Sequence, residues 1–102
     1  HLLRPAITEQ PFPVNLLRQS SREEQLFDIH GPLCTSMDKL GKLPLPSDVS
    51  VHDQLIFGYC GAYGFTESMP FFLCHHIAAE YVFSQGKLIE VRASQPADWY
   101  LR

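Results

Sequence analysis

One hundred and two residues, 45% hydrophobic and 19% charged, make one compact domain with an ordinary apolar fraction. The net charge of −3, with no cluster of Lys or Arg, argues against a nucleic-acid or anionic-membrane surface. No apolar run approaches the roughly 18 residues that a membrane-spanning helix needs. A chain of this size buries about two-thirds of its unfolded surface, so neither a disulfide nor a metal is required for stability. Eight prolines and six glycines favour many turns and few long helices. The first residue is His1, which reads as a chain cut, processed or excerpted, and no secretory signal precedes the first apolar segment. Cys34, Cys60 and Cys74 form an odd set that suits a reducing cytoplasm better than a disulfide framework.

In chain order, Pro5, Pro11 and Pro13 argue against helix over residues 5–13 and for extended or turn geometry. A first strand is expected from Phe12 to Arg18, followed by a polar hairpin connection over residues 19–24. Gln25 to His30 alternates Phe27 and Ile29 with Asp28 and His30, the pattern of a second strand. Gly31-Pro32 stops that strand. The Leu43-Pro44-Leu45-Pro46 segment reads as loop, because proline cannot donate to a central sheet. Ser47 to Asp53 is a polar turn, and Gln54 to Tyr59 is strongly β-prone. Residues 79–83 and 87–92 flank Ser84-Gln85-Gly86 and predict a hairpin. A terminal helical turn is expected over residues 96–101, with Ser94 or Gln95 near its N-cap and Pro96 near its first position. The fold class is therefore mostly all-β, with strand spacing suited to a sandwich or barrel.

Three groups of residues could carry chemistry. Gly31 to Asp38 is a turn presenting the Cys34 thiol and the hydroxyls of Thr35 and Ser36 at a strand end, a common place for reactive groups. The competing reading makes Cys34 a small buried hydrophobe. Gly61-Ala62-Tyr63-Gly64 would let a ligand approach the Tyr63 phenol closely, unless that ring packs in the core. Cys74-His75-His76, with Cys60, Cys34 and His52, offers soft ligands but no metal-binding spacing. Adjacent histidines on a strand would face opposite ways, so no metal is expected.

Gly31-Pro32-Leu33-Cys34-x-Ser36-x-Asp38, then about 14 residues to Asp53-Gln54-Leu55, then Gly61-Ala62-Tyr63-Gly64-Phe65, resembles the C-terminal domain of the fold type III pyridoxal-phosphate decarboxylases. These act on ornithine, arginine or diaminopimelate. Leu3-Arg4-Pro5-Ala6-Ile7 is similar to the Arg-Pro-Ala-Leu-Tyr segment of the diaminopimelate branch, and the 79–92 hairpin falls where that branch has its own. The resemblance runs through the whole chain, in order. It implies a Greek-key-like β-barrel over residues 1–102, as in alanine racemase-like decarboxylases, with a short C-terminal helical turn. The partner domain, an N-terminal (β/α)8 barrel holding pyridoxal 5'-phosphate and its lysine, has no counterpart here, so the fragment alone should be inactive. The full-length enzyme would be a cytoplasmic homodimer with composite sites.

The same resemblance assigns roles. In the family the cofactor takes up the electrons left when an amino acid loses its α-carboxylate as carbon dioxide, and the carbon left behind must be protonated. Cys34 occupies the position of the cysteine that enters the neighbouring subunit's site, and a thiol of pKa about 8.5 is a competent general acid. Tyr63 matches a tyrosine that reaches cofactor and substrate. Arg4 matches an arginine that pairs with a substrate carboxylate, a task suited to its planar fork.

Two departures bear on the substrate. Thr35 stands where the diaminopimelate and ornithine enzymes carry an acid for the distal ammonium, and Thr8 stands where a tyrosine is expected. A missing counter-charge in a dry site would cost a cationic substrate on the order of 2–5 kcal/mol. The expectation is an amide-linked or carboxylate-rich amino acid, such as a citrate-conjugated diamino acid of siderophore assembly, contacting Arg4, Thr8, Thr35 and Tyr63. Two alternatives remain. A racemase-like relative is disfavoured by Cys34, because that class uses a tyrosine as its second base. A free-standing β-barrel interaction module would need no catalytic residue at all.

Overall fold

The structure, a computed structural model, describes residues 2–102. It divides into two compact units, His1–Met69 and Pro70–Arg102. Sheet predominates, in three antiparallel two-stranded ribbons, with one short helix and no closed barrel among the described residues.

The first unit opens with helix α1, Leu3–Thr8, where the prolines had argued against helix. Pro5 is tolerated because it lies in the first turn, where an amide hydrogen has no intrahelical partner to lose. Glu9, left-handed at φ 58°, ends the helix two residues before Pro11.

Strand β1, Val14–Leu16, is shorter than the expected 12–18 segment. Its partner is β4, Leu55–Phe57, in the register Val14↔Phe57 and Leu16↔Leu55. The ladder continues past both ends, since the Gly58 amide donates to the Pro13 carbonyl at 2.8 Å and the Leu17 amide to the Gln54 carbonyl at 2.9 Å. The expected hairpin between the first two strands does not form. Arg18 and Ser20, just past β1, bond instead to the loop before β4. Arg18 grips Asp53 through Nε and Nη2 at 2.8 and 2.9 Å, and the Ser20 hydroxyl donates to Asp48 at 2.7 Å. Held this way, the Arg18 guanidinium draws the Asp53 carboxyl down to about 2, with the Ser50 amide adding to the effect.

Strand β2, Glu24–His30, pairs with β3, Lys39–Pro46, so the proline-rich segment read as loop is a strand. Parity explains it. The Ser47 amide donates to the Glu23 carbonyl at 2.8 Å, so odd-numbered nitrogens face β2. Pro44 and Pro46 then face the open edge, where a missing donor costs nothing.

A bulge interrupts the ribbon between Ile29 and His30: Ile29 opposes Gly41 and His30 opposes Lys39, leaving Leu40 as the extra residue. That insertion reverses the strand's phase. Leu40, Leu43 and Leu45 are consequently all buried, although Leu40 has the opposite parity. Gly41, at φ 120°, makes the bulge, and α1 and β1 pack on β3. With Leu33 these leucines form the small core of this unit.

The second unit is the expected hairpin, β5 (Glu80–Ser84) and β6 (Lys87–Arg92). Gln85 and Gly86, at φ 50° and 75°, supply its turn. Ile77 is buried and bridges Gln95 through paired amide–carbonyl bonds of 2.8 and 3.0 Å. The terminal helical turn forms at Trp99–Leu101 with Asp98 at its N-cap, later than expected. Ser94 instead bonds the Ile77 carbonyl at 3.0 Å, and Gln95 is held in the bridge. Phe71 stacks at a tilt on Tyr100, 4.6 Å between ring centres. His75 and His76 follow a 3-10 turn, Phe72–Cys74, and do not lie on a strand.

Candidate functional site

The loop joining β2 to β3, residues 31–38, carries the first candidate group. Eight residues is long for a hairpin connection, and internal bonds close it. The Gly31 amide donates to the Asp38 carbonyl at 2.9 Å, the Thr35 amide to the Leu33 carbonyl at 2.8 Å, and the Asp38 amide to the Thr35 carbonyl at 3.2 Å. The Leu33 side chain is sunk in the core, while Cys34 on the outer side is exposed. The reading of Cys34 as a buried hydrophobe therefore fails. Thr35 is half-buried, and its hydroxyl accepts the Met37 amide at 3.2 Å.

Asp38, the last residue of the motif, is the most buried polar residue among the described residues, 1% exposed. Its Oδ2 accepts the Leu33 amide at 2.9 Å, while Oδ1 is buried without a hydrogen bond. A Cβ added at Gly31 would fall on this carboxylate. The glycine that begins the loop and the aspartate that ends it are a matched pair.

The second group lies around α1 and the turn over residues 61–67. A cavity of about 240 Å³ is lined by Arg4, Phe12, Tyr59, Ala62, Tyr63 and Glu67, among others. Tyr63 is exposed, and the Arg4 guanidinium lies over its ring, 4.9 Å from the centroid. Arg4 also donates to both oxygens of Glu67, from Nε at 3.0 Å and Nη2 at 2.6 Å. That bidentate bond raises the Arg4 pKa further, so the side chain is always a cation. Glu67 pins the helix a second time, because its carbonyl accepts the Leu3 amide at 3.2 Å. The sequence reading missed Glu67. The signal was its place four residues after Tyr63, in a turn closed by its amide to the Tyr63 carbonyl at 3.1 Å.

Thr8 lies on the exposed side of α1 and ends it: its hydroxyl donates to the Arg4 carbonyl at 3.0 Å and accepts the Gln10 amide at 3.3 Å. The structure thus brings Arg4 and Tyr63 together at one cavity. Cys34 and Thr35 belong to a separate loop and do not line that cavity.

The other cysteines differ from Cys34 in setting. Cys60 is half-buried, its thiol donates to the Gly58 carbonyl at 3.0 Å, and burial pushes its pKa up. Cys74 is exposed in the second unit. Among the described residues no three His, Cys, Asp or Glu side chains are grouped to hold a metal ion, and no helix is long and apolar enough to cross a membrane. Among the phenylalanines, Phe71 is 51% exposed, whereas Phe57, Phe65 and Phe72 are half-buried. The larger apolar exposure is on β5 and β6, where Phe83 and Leu88 are 73% and 67% exposed.

Comparison with known proteins places this geometry. The model of the pyridoxal-dependent decarboxylase C-terminal sheet domain matches residues 1–61, the part that holds α1, the Cys34 loop and the start of the Tyr63 turn. The crystal structure of AQ1208 from Aquifex aeolicus is similar, with a TM-score of 0.86 and 26% sequence identity over 98% of this chain. The chain spans only 25% of that structure's chain. A search of curated proteins finds no match.

Proposed function

The chain belongs to the pyridoxal-dependent decarboxylase C-terminal sheet domain family, and we propose that it supplies the protonating thiol and part of the substrate pocket of an amino-acid decarboxylase. The observation that carries this reading is the exposed Cys34, held at the tip of an internally bonded loop within the matched segment. Bound pyridoxal phosphate would delocalise the electron pair left on the α-carbon when the C–C bond to the carboxylate breaks and carbon dioxide departs. Cys34 then transfers its Sγ proton to that carbon, forming the new C–H bond, and the thiolate recovers a proton from solvent. An exposed thiol on a strand-connecting loop suits a group that must reach outward into a site built largely by other parts of the protein.

The residues around the cavity fit an anionic ligand. The Tyr63 hydroxyl and the Arg4 guanidinium are both hydrogen-bond donors, and they meet at one opening. Nε and Nη2 of Arg4 are engaged by Glu67, which leaves Nη1 for a substrate carboxylate. The separation of Cys34 from this cavity supports a composite site, in which a dimer's second subunit provides the thiol. The exposed apolar side chains of β5 and β6 support a further covering surface in the intact protein, which we assign to an N-terminal (β/α)8 barrel domain. Greek-key-like barrel closure belongs to the same proposal, since each ribbon leaves strand edges open. So does a cytoplasmic location.

Thr35 shapes the substrate reading. Its hydroxyl accepts the Met37 amide, and it carries no charge to hold a distal ammonium. The substrate is accordingly an amino acid whose far end is amide-linked or carboxylate-rich, such as a citryl-diamino acid of siderophore assembly. The test is carbon dioxide release by the full-length protein with added pyridoxal phosphate, from diaminopimelate, ornithine and a citryl-diamino acid. The citryl compound should be turned over fastest. Fastest release from diaminopimelate would refute the Thr35 argument, and no release from any amino acid would refute the decarboxylase reading.

A further inference from the structure

From the buried carboxylate at the base of the Cys34 loop, we infer that Asp38 is a positioning residue: it fixes the loop geometry that presents the Cys34 thiol, and it does so as a hydrogen-bond acceptor. The inference rests on the proposed role of Cys34 but is tested separately from it.

Three of the loop's internal bonds pass through Asp38. Its carbonyl takes the Gly31 amide, its amide reaches the Thr35 carbonyl, and Oδ2 takes the Leu33 amide. Those contacts bracket Cys34 on both sides, at the residue before it and the residue after it. Leu33, immediately preceding the thiol, is held at two points, its side chain in the core and its amide on the carboxylate. Loss of the carboxylate frees that amide in a buried place, and the peptide that aims Cys34 must turn to find another partner.

The arrangement is an expensive way to build a loop. A carboxyl group that is 1% exposed has lost its water, and Oδ1 recovers no hydrogen bond among the described residues. The space it fills is available only because residue 31 has no side chain. An ordinary connection between two strands needs neither feature. Their presence in the loop that carries the exposed thiol points to precision of the loop as the benefit.

The experiment uses the full-length protein with D38A, D38N and G31A variants. Alkylation by iodoacetamide is followed at each cysteine separately by peptide mass spectrometry, beside circular dichroism and decarboxylation kinetics. D38A should change the Cys34 alkylation rate about threefold or more and leave Cys60 and Cys74 at wild-type rates. It should lower kcat about tenfold or more at unchanged KM, because a thiol displaced by a fraction of an ångström still lets substrate bind. D38N keeps an acceptor oxygen for Leu33 and should restore both values to near wild type. G31A, which crowds the carboxylate from the other side, should reproduce the D38A pattern, and it decides the question if D38A does not fold. A folded D38A or G31A with wild-type Cys34 alkylation overturns the inference, as does a D38N variant that falls as far as D38A. A wild-type protein without decarboxylase activity would remove the proposed function, while site-resolved alkylation would still judge Asp38.

Discussion

Replacing Gly41 by alanine tests how the Cys34 loop is mounted. Gly41 has φ 120°, a region that side-chain-bearing residues rarely enter, and such strain costs about 1–3 kcal/mol. The new Cβ would stand 2.7 Å from Cβ of Pro11, well inside the 3.4–4 Å of ordinary contact. Overpacking of that kind typically costs about 1–3 kcal/mol, part of it relieved by movement of Pro11. The sum expected for G41A is about 2–4 kcal/mol, or a fall of about 1–3 M in the urea midpoint at ordinary slopes. If the bulge is lost, Leu40 rotates out of the core, which adds to the cost. Gly61 is the control in the same unit, with no heavy atom within 4 Å of an added Cβ and no positive φ. G61A should stay within about 0.5 kcal/mol of wild type. Urea unfolding followed by far-UV circular dichroism measures both. A G41A midpoint indistinguishable from that of G61A would refute the bulge argument.

Two further outcomes are expected. Leu45, 3% exposed on β3, should lose about 2–4 kcal/mol as L45A, whereas Leu26 across the ribbon, 61% exposed, should lose less than about 1 kcal/mol as L26A; equal urea midpoints for the two would contradict the assigned core face. The Asp53 carboxyl, held near 2 by Arg18 against an ordinary 3.8, adds stability that is fully present above pH 4 and lost as the pH falls through about 2. The stability gap between wild type and R18Q should therefore narrow between pH 4 and 2, and a gap independent of pH over that window would contradict the pairing.

What could be read from the residues was mostly local. The alternation of Phe27 and Ile29 marks β2, and the Gln85-Gly86 turn marks the β5–β6 hairpin, because both signals lie within one element. Pairing across distance was not legible. Val14 meets Phe57, and Arg4 meets Glu67 at a separation of 63 residues, with nothing in either segment to announce the other. The prolines misled for a different reason: their effect depends on which way a nitrogen faces. Pro5 lies in a first turn and Pro44 faces an open edge, and neither fact is visible before the pairing is known. At the candidate site, Cys34 and Tyr63 stand out in the sequence beside turn-forming glycines, motif resemblance adds the roles expected of them, and both side chains are exposed. Asp38 went unassigned because its importance comes from burial against Gly31, a property of the folded loop.

The thiol itself gives the decisive measurement. Full-length protein carrying C34A, with pyridoxal phosphate and the preferred amino acid, should bind substrate normally yet release product about a hundredfold or more slowly than wild type, in line with removal of a general acid. Turnover by C34A at the wild-type rate would contradict the assignment of Cys34 as the proton donor.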